Sequence, residues 1–153
     1  MRPGCLALCI TLAMFVGVAS GDPLTGKWVL NVGRTHYGGG AEPRKQEVFI
    51  CEADRQLLRC TIRSDRLDGK RVVGTFAAAY DGKSYPATGI PDVDRVSLLR
   101  VDDHVADATF TYKSRPVFGY RAIKSDDGRS LTIVAADPIA RTVLNSVVVY
   151  DLQ

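Results

Sequence analysis

The chain is predicted to be all-β: a single antiparallel up-and-down β-barrel of about 8–10 strands, preceded by a secretory signal peptide. Three observations carry this expectation. Short runs rich in β-branched and aromatic residues recur at intervals of roughly 8 to 12 residues, the spacing of a sandwich or barrel. Asp-Gly pairs at 68–69, 81–82 and 127–128 punctuate the runs, and such pairs tolerate left-handed backbone and close tight hairpins. Within the runs, apolar and polar side chains alternate with period two, which gives a strand one dry and one wet face. Connections between neighbours favour a meander closed into a barrel over a Greek-key sandwich.

The N-terminus sets the compartment. Arg2 precedes the apolar residues 5–18 (CLALCITLAMFVGV), and the small residues Ala19, Ser20 and Gly21 follow. A membrane-spanning helix needs about 18–20 apolar residues. This stretch is shorter and ends in residues a signal peptidase accepts, so cleavage is expected after Ser20 or Gly21. Cys5 and Cys9 lie at the start of the apolar stretch and within it rather than beyond it, which argues against lipid attachment. The expected division is a signal peptide at 1–21 and one barrel domain at 22–153, in a periplasmic or secreted protein. Removing 21 of the 153 residues takes away Arg2 and leaves 19 basic residues against 17 acidic ones. That balance, without charge runs, gives no case for nucleic acid or for an anionic membrane.

The strand runs are 26–32 (GKWVLNV), 45–52, 57–63, 71–80, 83–86, 95–101, 105–113, 117–124, 130–136 and 142–151. Cys51 and Cys60 flank the turn candidate EADRQ in a disulfide-permissive compartment. If they face each other across a hairpin, Phe49 pairs with Ile62 and Ala53 with Leu58, which gathers a mostly apolar face. A second register puts Val48 and Ile50 inside and sends the two cysteines to opposite faces. The disulfide is therefore one of two readings, the other being buried thiols. A zinc site is excluded by spacing, since there is no CxxC pair and neither histidine is near the cysteines in sequence.

Alternation also nominates the interior. Ala106, Ala108, Phe110 and Tyr112 share one side of run 105–113, opposite Asp107, Thr109, Thr111 and Lys113. Val72, Gly74, Phe76, Ala78 and Tyr80 form a row in which small and large residues alternate, as a tapered barrel interior requires. These rows can interdigitate as a filled core. Alternatively Phe76, Tyr80, Phe110 and Tyr112 line a cavity for a hydrophobic small molecule. Residues 80–94 read as a barrel-mouth loop: Tyr80 ends a strand, Asp81-Gly82 turns the chain, and Tyr85-Pro86 stop pairing. Asp92 and Asp94 make a poor calcium site without a third acid or a bidentate Glu, so a solvated loop is expected there.

Catalysis finds little support. No G-x-S-x-G string is present, and the glycines at 38–40 have neither the lysine nor the following helix of a phosphate loop. His36 in THYGGG and His104 in DDH are the candidates for a base or ligand, in a hydrolase-type reading that ranks last. No catalytic residue, metal or cofactor is assigned.

Gly26, Lys27 and Trp28 form a G-x-W at the start of the first strand, which resembles the lipocalin signature. The resemblance implies that Trp28 closes one end of the barrel against a basic side chain near the last strand, for which Arg141 is the candidate through cation-π stacking. The stretches YDGKSYPATGIPDVDRVSL (80–98) and KWVLNVGRTHY (27–37) are similar to a group of secreted bacterial proteins with a lipocalin-like or calycin-like barrel and no assigned reaction. The T-D-Y element of lipocalins is not recognisable.

The leading expectation is an exported, non-enzymatic, monomeric barrel that binds a small hydrophobic molecule. Trp28, Phe76, Tyr80, Phe110 and Tyr112 are its candidate interior residues, and no nucleic acid or integral membrane association is expected. The alternative is an envelope interaction module whose barrel is filled.

Overall fold

The computed structural model describes residues 21–38, 41–139 and 143–153. The proposed leader before Gly21 and the candidate Trp28 partner Arg141 lie outside the described residues. Ten strands run β1 Gly26–Leu30, β2 Arg44–Asp54, β3 Leu57–Arg66, β4 Arg71–Ala78, β5 Asp81–Thr88, β6 Arg95–Arg100, β7 Val105–Tyr112, β8 Arg115–Lys124, β9 Ser130–Ala136 and β10 Val143–Leu152. Each is antiparallel to the next in sequence, and β1 pairs with β10 to close the barrel. A single 3-10 turn at Val32–Arg34, capped by the Asn31 side chain accepting from Arg34 N, follows β1. No helix among the described residues is long and apolar enough to cross a membrane.

The β2–β3 hairpin resolves the choice of register. Cys51 faces Cys60, Phe49 faces Ile62 and Ala53 faces Leu58, and the cysteines form a disulfide with their Cα atoms 4.2 Å apart. The chain reverses at Arg55-Gln56, where Arg55 takes a left-handed φ of 57°. The register has a further consequence, because it sets Glu47 opposite Ser64 on the same inward face.

The glycines of the three Asp-Gly pairs all have positive φ, between 69° and 83°, but they do different jobs. Those at 68–69 and 127–128 lie in hairpin turns. Asp81-Gly82 lies at the centre of the β4–β5 reversal, since Thr75 faces Thr88 and Phe76 faces Ala87 across it, and it also opens β5, where the register with β6 shifts before Ser84. Tyr85 and Pro86 do not stop pairing, since they face Val96 and Arg95. Ala87 N donates toward β6, to Asp94 O at 2.9 Å, an ordinary ladder length. Its neighbour Pro86 therefore directs its backbone toward β4, where pairing is confined to Thr75 with Thr88 and Phe76 with Ala87. The missing N–H of Pro86 falls where no partner is needed.

One end of the barrel is solid. Leu58, Leu98, Leu131 and Trp28 are fully buried there, and residues 22–25 cross the end as a strap whose Pro23 and Leu24 are themselves buried. Trp28 Nε1 donates to Leu24 O at 2.8 Å. Asp22 ties the strap down: its carboxylate accepts from Leu24 N, Thr25 N and the Tyr80 hydroxyl, and its carbonyl accepts from Lys124 Nζ.

Candidate ligand-binding cavity

Above this solid end the barrel is hollow. A cavity of about 600 Å³ opens at the opposite end, within the range of small-molecule sites. Its apolar wall comes from Phe49, Ile62, Phe110, Ile133 and Val148 on five strands, with Val117 and Phe118 exposed at the rim. Phe110 stacks on Phe118 at 4.5 Å and meets Phe76 edge-on at 6.1 Å, so the aromatic group runs from the rim down into the packed core. The loop after β5 enters the cavity with Ile90 and Pro91. Gly74 permits this, because a Cβ there would lie 2.3 Å from Ile90 Cγ1.

Part of the wall is polar. Glu47, only 5% exposed, accepts through Oε1 from the buried Tyr150 hydroxyl and, at 3.0 Å, from Arg44 Nη1. β1 is what makes room for this contact. Its ladder with β2 ends at Val29 opposite Val48, so beyond that point side chains rather than a backbone ladder join β2 to β10. Tyr37, Ser64 and Tyr120 also line the cavity, and their hydroxyls are buried without a hydrogen-bond partner among the described residues. At the mouth, Arg66 pairs with Glu42 and lies 3.7 Å from Asp68.

Burial, and then the nearby Glu47 carboxylate, push the phenols of Tyr120 and Tyr150 well above the ordinary tyrosine range. Burial and then Asp22 do the same to Tyr80 at the solid end. A phenol whose folded pKa exceeds its unfolded value of about 10 ionises first in the unfolded chain. Its contribution is therefore complete below about pH 10 and is lost as the pH rises above it. Chemical denaturation between about pH 8 and 11 should show stability falling only above about pH 10, with phenolate absorbance from these three rings appearing together with unfolding. Their ionisation in the intact barrel would contradict the burial described.

The five nominated interior residues divide. Phe110 lines the cavity. Phe76 packs below it in the core, Trp28 and Tyr80 belong to the solid end, and Tyr112 is exposed beyond a register shift after Phe110. Alternation names no polar residue of the cavity, although the Cys51–Cys60 register places Glu47 opposite Ser64 on the same inward face. His36 bridges Val147 through its backbone, His104 sits in the β6–β7 turn at the other end, and neither lines the cavity. Asp94 accepts from Lys113 N and so braces two loops. Among the described residues no group of His, Cys, Asp and Glu could hold a metal ion.

The fold and cavity define a class: a closed antiparallel ten-stranded barrel, hollow at one end and compatible with a lipocalin-like architecture. No family model, curated protein or solved structure matches the chain.

Proposed function

We propose that this is an exported binding protein that holds one small, largely apolar molecule in the open half of its barrel, without chemical conversion. The carrying observation is the cavity of about 600 Å³, enclosed by strands from around the barrel and floored by a packed core. The lack of either histidine in its lining favours binding over hydrolysis. An interior disulfide and the leader-like N-terminus support a periplasmic or secreted location.

Native mass spectrometry of the protein recovered from its own compartment, before and after denaturation, tests this together with titration by an environment-sensitive hydrophobic dye. The expected results are a monomer, a retained small mass or a single dye site, and loss of that site in Val148→Trp with strand content preserved. A barrel that retains nothing and binds no dye would refute the proposal.

A further inference from the structure

The polar part of the cavity wall restricts what kind of molecule fits, an inference that rests on the binding function proposed above. From the juxtaposition of Glu47, Arg44 and Tyr150 with the unpartnered hydroxyls of Tyr37, Ser64 and Tyr120, we infer that the ligand carries an uncharged hydrogen-bonding head, such as a hydroxyl or carboxamide, on an apolar body.

Three alternatives can be compared on the same geometry. A carboxylate head would need a free cation. Arg44 already donates to Glu47 at 3.0 Å, and Arg66 at the mouth is matched by Glu42 and Asp68. A carboxylate entering the polar part would meet the Arg44–Glu47 pair already neutralised, with no cation left to offset its desolvation. An ammonium head meets a compensated pair rather than a net negative charge, so little offsets its desolvation. A ligand without any polar atom would displace solvent from buried hydroxyls and return no hydrogen bond, which lowers affinity. Hydroxyls donate and accept. Three of them lining the cavity, from the segment after β1, from β3 and from β8, with a neutralised ion pair among them, suit a head that also does both. Ser64 is itself 5% exposed and its Oγ has no partner among the described residues, so this polarity is built into the interior.

The test is dye displacement at pH 8 by a matched series with one twelve-carbon body: dodecanol, dodecanamide and dodecanoate. The alcohol and the amide should displace dye at least about tenfold more tightly than the carboxylate, a gap equivalent to about 1.4 kcal/mol. Tyr120→Phe keeps the ring that packs 5.5 Å from Phe110, and should weaken the amide about fivefold to tenfold, with the amide Kd calculated from the dye affinity of the same variant. Ser64→Ala is the second such variant, in a different strand. If dye binds normally but dodecanoate competes best, or if neither variant alters amide affinity, the uncharged-head inference is overturned and the binding function stands. If no dye site exists, the binding function falls first and this inference with it.

Discussion

Replacing Trp28 with alanine is expected to cost about 3–5 kcal/mol and to lower Tm by on the order of 10–20 °C. The only tryptophan of the chain is fully buried, and it is held on several sides. Phe49 and Leu152 stand opposite it on the flanking strands, and Nε1 donates to Leu24 O. Gly26, two residues earlier, completes the fit, since a Cβ there would come within 3.1 Å of the indole. Truncation removes the ring, leaves a cavity the barrel walls cannot collapse to fill, and strands a buried carbonyl. Because whole domains are stable by only about 5–15 kcal/mol, one substitution consumes a large part of that margin. Trp28→Phe should retain most of the packing and lose chiefly the hydrogen bond. Thermal unfolding followed by far-ultraviolet circular dichroism measures both, and a Trp28→Ala barrel within about 1 kcal/mol of the parent would contradict the packed end described here.

The disulfide gives the second large effect. Cys51→Ser with Cys60→Ser should destabilise the protein by about 2–3 kcal/mol, as expected for a cross-link over a short loop. Both sulfurs are inside the barrel, with each cysteine no more than 2% exposed. A thiol reductant can reach them only when the strands separate. Reduction should therefore be slow in buffer and should accelerate with denaturant in step with unfolding. Neither cysteine lines the cavity, so the double variant should bind dye as the parent does at temperatures where it is folded. Rapid reduction under native conditions, read by thiol titration, would show that the pair is not enclosed.

The strands were legible in the sequence because a half-buried sheet imposes period two on its side chains, and β7 shows it plainly in Ala106, Ala108 and Phe110 against Asp107, Thr109 and Thr111. The register of β2 on β3 was legible only as a choice, and the cysteine pair decides it. The barrel-mouth segment was misjudged at Pro86, since a sequence does not say which edge of a strand a proline turns toward. The cavity was hardest to read. Alternation names Phe76, Tyr80, Phe110 and Tyr112 as the lining of a cavity or the members of a filled core, yet Phe110 lines the hollow, Phe76 and Tyr80 pack below it and Tyr112 is exposed, and the hollow lies where β1 stops early and where Ile90 folds over Gly74. Those are relations between distant segments. Glu47 and Ser64 left a local sign, two polar residues in phase with Phe49, Cys51, Cys60 and Ile62, whose meaning depends on Tyr150 arriving from the far end of the chain.

That arrival has a consequence for how the protein is made. Every ladder but one joins strands adjacent in sequence, and the exception sets Trp28 opposite Leu152. Short hairpins close readily, whereas joining the two ends of a chain carries a larger entropic cost and belongs to slow, non-local folding. During synthesis β1 therefore remains half-paired with its indole unsheltered until β10 emerges. Ser146, Val148 and Tyr150 all face the hollow, so the cavity has no complete wall before that moment. Most of the sheet can form as the chain grows, but the closed barrel and its hollow exist only after β10 has been delivered.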